Sequence, residues 1–145
     1  MRSYWVGVAS REHVLAAVSG GFCQLNHGKE APLNRMQPGD RLLYYSPREE
    51  MRRGEPVQAF TAIGEILDRA TRQESEVEGF SPFRRNVQYF NTREASIKPL
   101  LQHLSFARGA TSWGQVLRRG TFRIERGDYQ LIAQAMRVFG ASEGL

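Results

Sequence analysis

Apolar and polar positions fall in short runs along this chain, several at the two-residue spacing of strands and few at helical spacing. Tyr4 to Val8 reads as a β-strand. Ser10 follows as a helix N-cap, Arg11 to Val18 as a short helix and Gly20-Gly21 as its stop. Phe22 to Asn34 has no clear period and reads as a long loop, a kind of segment that often carries function. Pro38-Gly39-Asp40 is a tight turn feeding a strand, Arg41 to Ser46, and the polar stretch Arg48 to Pro56 predicts an exposed hairpin loop. Phe60 to Leu67 is apolar on both faces, which predicts a central strand, with Gly64 marking a close approach.

Arg69 to Glu78 is charged and is expected to be mobile. Phe83 to Phe90 predicts a strand in which Phe83, Val87 and Tyr89 alternate with Arg84, Asn86 and Gln88, with Arg85 breaking the apolar face. Lys98-Pro99 starts a short helix, Thr121 to Glu125 forms a last strand, and Asp128 caps a helix with Tyr129, Ile132, Met136 and Phe139 on one face. Short strands interrupted by short helices, with no βαβ repeat, place the chain in the α+β class as a mixed β-barrel.

The length of 145 residues suits one domain spanning 1–145, with enough core to need no disulfide or metal. No apolar run approaches the roughly 20 residues of a membrane helix. Met1 to Val8 enters a strand pattern with no signal-peptide core, so the expectation is a monomeric cytoplasmic protein with no membrane partner. The single cysteine, Cys23, excludes an intrachain disulfide and is expected to be a buried, inert thiol.

Charge changes the picture more. Of 20 basic residues only Lys29 and Lys98 are lysines, and the net charge is +5. Arginine grips phosphate with a flat fork of donors and stacks on bases, which suits a nucleic-acid surface. A GC-rich genome produces the same bias, so charge alone leaves the partner open.

Catalytic signatures do not assemble. His13, His27 and His103 stand alone with no metal-ligand spacing, and none of Ser10, Ser46 or Ser112 lies in a nucleophile elbow. Gly21 to Glu30 only superficially resembles a phosphate loop: six residues separate the glycines, and Glu30 stands where Ser or Thr would hold magnesium. The expectation is a protein without enzyme activity or cofactor. Binding features are stronger. Phe83-Arg84-Arg85 places an aromatic beside arginines, with alternation sending Arg84 and Arg85 to opposite faces, and Trp113-Gly114 precedes Arg118-Arg119. Aromatics beside arginines serve stacking on a base and neutralisation of its phosphates, although each aromatic alone is more often a core residue.

Tyr4-Trp5-Val6, Ser10-Arg11-Glu12-His13, Gly28-Lys29, Arg35 to Asp40, Tyr44-Tyr45-Ser46-Pro47, Phe60 to Ile66, Pro82-Phe83-Arg84-Arg85, Ile97 to Leu100, Leu104-Ser105-Phe106, Trp113-Gly114 and Asp128 to Ile132 occur in an order that resembles the EVE domain family. That family is a branch of the PUA-like superfamily, which also holds the YTH and ASCH domains. The resemblance runs from about Ser3 to Met136. It implies a PUA-like barrel of five to six strands with flanking short helices, no catalysis, and a pocket that accepts a modified base, in DNA first and in RNA as the alternative. A general RNA-binding module and a binder of a small anionic ligand remain open beside it. From the matched segments Trp5, Lys29, Tyr45, Phe83, Arg84 and Trp113 are expected to line the pocket. Phe83 and Trp113 would act as stacking walls and Lys29 and Arg84 as phosphate or base-edge contacts, with Ser10, His27 and Ser46 as hydrogen-bonding groups to the base.

Overall fold

Two apolar runs of the sequence lie side by side. Strand β1, Tyr4–Val8, runs parallel to β3, Arg41–Glu50, with Trp5 opposite Leu42 and Val6 opposite Leu43. Strand β4, Arg53–Ile66, returns antiparallel to β3. Beyond these, β2 (Phe22–Cys23), β6 (Phe83–Tyr89) and β8 (Thr121–Ile124) complete one path in the order β2-β6-β4-β3-β1-β8. Two short strands hang off it: β5, Arg72–Gln73, pairs with β6, and β7, Ala95–Ser96, pairs with β4. The computed structural model describes residues 1–108 and 114–138, and in it this mixed sheet forms a half-barrel with a few short helices. Among the described residues no helix is long and apolar enough to cross a membrane.

Side-chain alternation explains why the central strands read as continuous apolar runs: both faces of the sheet are buried. Trp5, Leu42, Tyr44, Ala62 and Ile66 face one core, which Val14 and Ala17 of helix α1, Arg11–Gly20, complete. Val6, Leu43, Tyr45, Phe60 and Ile63 face the other, against Tyr129, Ile132 and Ala133 of helix α4, Arg126–Ala135. Gly64 is the close approach expected of it. A Cβ there would stand 2.7 Å from the Gln88 carbonyl oxygen and 3.1 Å from the Tyr89 Cα across the β4–β6 pair. Cys23 is buried, and burial pushes its thiol up to about 12, so the thiolate needed for reactivity does not form at neutral pH.

Four readings of the sequence need revision. Phe22 to Asn34 is not one loop but β2, a 3₁₀ turn at Asn26–Gly28 and helix α2, Ala31–Asn34, each too short to leave a period. The polar stretch Arg48 to Pro56 is largely strand: β3 and β4 continue as a two-stranded arm, with Arg48 opposite Pro56 and Glu50 opposite Arg53. An arm that pairs only with itself has no apolar face to betray it. Arg69 to Glu78 contains β5, and Val77 bridges to Phe80 just beyond it. Asp128 is not the cap of α4. Glu125 holds that position, and Asp128 turns inward to accept from the Ser105 backbone N–H at 2.9 Å and from the Ser105 hydroxyl at 2.5 Å. Phe139, expected on the same helix face, lies outside the described residues.

Candidate functional site

A cavity of about 1000 Å³ opens where β1 ends, between the start of α1, the β3–β4 arm, the Asn26–Gly28 turn and the segment from Gly114 to Gly120. Ser10 stands at its wall as the α1 cap, its hydroxyl accepting from the His13 N–H at 3.2 Å. Tyr45 projects from β3 with its ring edge-on to Phe60 at 5.5 Å, and burial pushes its phenol up to about 12, so it stays protonated at neutral pH. The β3–β4 register shifts three times beside the cavity, between Tyr44 and Tyr45, between Ser46 and Arg48 and between Arg48 and Glu50, and Gln58, at φ 49°, sits in the second irregularity and lines the site. Bulges of this kind re-aim side chains next to binding sites.

The opposite wall is a left-handed turn. Asn26 and His27 have φ of 48° and 59°, a region that non-glycine residues enter at a cost, followed by Gly28 at 82°. Asn26 is held by two hydrogen bonds, its Nδ2 donating to the Arg119 carbonyl at 3.1 Å and its Oδ1 accepting from the Thr121 hydroxyl at 2.5 Å. At Gly28 a Cβ would lie 2.6 Å from Pro82 and 3.2 Å from the Phe80 ring, so glycine lets the Phe80 loop close onto this turn. Phe80 is 47% exposed and lines the cavity. Among the described residues Arg48, Arg52 and Arg118 supply positive charge there against one acid, Glu50, which is paired with Arg53 at 3.4 Å. Among the described residues no three His, Cys, Asp or Glu side chains group closely enough to hold a metal ion.

His13 also lines the cavity, edge-on to Tyr44 at 6.1 Å, and its Nε2 is buried with no hydrogen-bond partner among the described residues. Burial lowers its pKa from the usual 6.5, opposed by a hydrogen bond to the Gln24 backbone and reinforced by Arg84. The unfolded chain therefore takes up a proton that the folded chain refuses. Stability should be level above neutrality and fall as pH drops below about 6.5. Denaturant midpoints of wild type and His13→Gln should diverge between about pH 7.5 and pH 5.5, with the wild type losing more. Equal slopes would show that His13 stays ionisable in the fold.

A family model for the EVE domain matches residues 3–135. The chain belongs to the EVE family. A UPF0310 protein of Mesorhizobium japonicum is 46% identical over 138 residues, covering 94% of this chain and 93% of that protein. A UPF0310 protein of Streptococcus gordonii is 45% identical over 139 residues, covering 95% and 96%. Among solved structures, the YTH domain of the Zygosaccharomyces rouxii MRB1 protein, in complex with N6-methyladenosine RNA, superposes with a TM-score of 0.62 over 92% of this chain and 85% of that one. Its sequence identity is 15%, so the likeness is one of fold.

Of the site residues expected from sequence, this EVE domain brings Ser10, His27 and Tyr45 to the cavity. Arg84 stands one layer behind: it stacks over Phe22 at 4.0 Å, pairs with Glu74 at 3.3 Å and donates to Gln24 Oε1 at 3.0 Å, and it is Gln24 that reaches the wall. Four others do not line it. Trp5 is buried, its Nε1 donating to Asp40 Oδ2 at 2.9 Å. Ser46 is fully buried against the Thr61 hydroxyl at 2.8 Å. Phe83 packs against the α1-side core, and Lys29 is exposed away from the cavity. Trp113 lies outside the described residues, and its chain neighbour Gly114 lines the site. The sequence reading overlooked Phe80. Its signal was present: an aromatic in Gly79-Phe80-Ser81-Pro82 has no strand or helix of its own to bury it.

Proposed function

We propose that this EVE-family protein is a non-catalytic nucleic-acid-binding domain that accepts a modified base in the cavity beside Tyr45 and Phe80. The observation that carries the proposal is the cavity itself. Its volume is that of a ligand site, its walls combine aromatic surface with a few fixed polar groups, and its rim carries guanidinium charge. Phe80 would stack on the base, and Trp113, next to Gly114, is proposed as a second wall. Ser10, His27 and the Gln24 and Asn26 amides would read the base edge, and the buried, partnerless Nε2 of His13 is an acceptor that a ligand donor would satisfy. Arg48, Arg52 and Arg118 would meet flanking phosphates.

Modified DNA is the first reading. RNA is the second, favoured by the ligand in the Zygosaccharomyces YTH structure, which shares the fold. The test is direct binding to matched DNA and RNA oligonucleotides carrying 5-methylcytosine, N6-methyladenine or the unmodified base, across a salt series. Tighter binding of one modified oligonucleotide is expected, with log affinity falling linearly in log salt by the slope of a few phosphate contacts. Equal affinity for modified and unmodified strands, or no salt dependence, would reject the proposal and leave a small anionic ligand. No substrate should be turned over in these mixtures.

A further inference from the structure

On the other side of the Arg118–Gly120 segment lies a second, smaller cavity of about 530 Å³, lined by Trp5, Asn34, Arg35, Gln37, Arg119 and Arg123 among others. Among the described residues no acidic side chain lines it, and none of its three guanidinium groups is ion-paired. Trp5 floors this groove. The guanidinium carbons of Arg35 and Arg123 lie 5.6 Å and 5.4 Å from its ring, so the indole holds two arginines in place through its π-face rather than through a carboxylate. The acid bonded to that indole, Asp40, is engaged by backbone and ring donors. Its Oδ1 accepts from the Ser3 N–H at 2.9 Å, and its Oδ2 accepts from Trp5 Nε1 at 2.9 Å and from the Gln37 N–H at 2.8 Å. Arg123 gives one donor to the Ser3 hydroxyl at 2.9 Å and keeps the rest of its fork.

The two cavities share a thin wall. Arg118 lines the first and Arg119 the second, and the Cα atoms of consecutive residues are about 3.8 Å apart. Asn26 ties the wall together from the first cavity by its bonds to Arg119 and Thr121, and Gly120 leaves room for it: a Cβ there would stand 2.7 Å from Asn26 Nδ2. A chain passing over this wall finds positive charge on both sides.

We propose that the second groove binds a backbone phosphate of the strand whose base occupies the first cavity, an assignment that rests on the base-binding reading above. Arginine forks held over an indole, with no counterion among the described residues, are built for a phosphodiester oxygen, and Asn34 and Gln37 add neutral donors. The test compares wild type with the double variant Arg119→Gln/Arg123→Gln, using three probes: a modified oligonucleotide over a salt series, the corresponding modified nucleoside, which has no phosphate, and inorganic phosphate. The double variant should bind the oligonucleotide about tenfold or more weaker at low salt, and its log–log salt slope should fall by about 1 to 2. Nucleoside affinity should be unchanged.

An oligonucleotide affinity and slope that both match wild type would overturn the groove assignment. So would a loss confined to inorganic phosphate, which would give the groove to a free anion. If neither protein binds nucleoside while the double variant still loses salt-dependent strand binding, the base-in-cavity reading fails and the groove stands. Asn34→Asp, an exposed change on the α2 lip, carries the same expectation should the double variant not fold.

Discussion

Arg85→Ala is expected to destabilise the fold by about 3–5 kcal/mol, through unsatisfied buried carbonyls together with the void it leaves. Arg85 is 1% exposed, yet it stands in a strand where an apolar residue would be expected. Its Nε donates to the Asp68 carbonyl at 2.6 Å and its Nη1 to the Leu33 carbonyl at 2.6 Å, with further bonds to the carbonyls of Met36 and Asp68. Leu33 lies in the last turn of α2, where its carbonyl also accepts from the Met36 N–H at 3.2 Å, and Met36 lies just beyond the helix. Truncation to alanine would strand buried acceptors from two segments and leave a void as well. Urea unfolding should show a lower midpoint with an unchanged slope. Arg85→Lys should be intermediate, since an ammonium reaches fewer of these carbonyls at once. A loss under about 1 kcal/mol for Arg85→Ala would mean that water or rearrangement satisfies the carbonyls.

Phe80→Ala is expected to weaken binding of the modified oligonucleotide by about 1–3 kcal/mol, roughly 5- to 150-fold, with little change in stability. The ring is 47% exposed and rests at the mouth of the cavity, so its removal uncovers no core. Phe83→Ala is the informative contrast. Phe83 is half-buried against the α1-side core, so its truncation should lower the melting temperature and leave the affinity of the folded fraction intact. The pair separates a stacking wall from a core ring in two adjacent aromatics. A Phe80→Ala protein that keeps full affinity and full discrimination between bases would remove Phe80 from the site. Stability loss in that variant would assign the ring to packing instead.

The elements were legible where burial dictates the pattern. Tyr4–Val8 carries apolar residues to two faces, Ser10 can satisfy a helix N–H, and Gly64 leaves space that only glycine leaves, so each reads correctly from sequence. The β3–β4 arm did not read, because Arg48 to Pro56 pairs without burying a face. The site was legible only in part, for a related reason. Trp5, Tyr45 and Phe83 are alike in sequence, aromatics in strands, and alternation alone does not say which face meets a cavity. Tyr45 reaches it because the β3–β4 register slips there, an irregularity that no residue type announces. Trp5 faces the α1-side core and floors a different groove. Arg84 reaches the first cavity only through Gln24, a partner 60 positions away in the chain.

The most direct test of the central claim is backbone amide mapping of isotopically labelled protein titrated with the modified oligonucleotide that binds best. The account predicts shifts concentrated at Ser10, His13, Gln24, Asn26, His27, Gln58, Phe80, Leu117, Arg118 and Gly120, residues that line the cavity. Base-dependent shifts should stay within that set, and shifts common to modified and unmodified strands should extend over the Arg119–Arg123 groove. Modification-dependent shifts that cluster elsewhere, with the cavity amides unmoved, would contradict it.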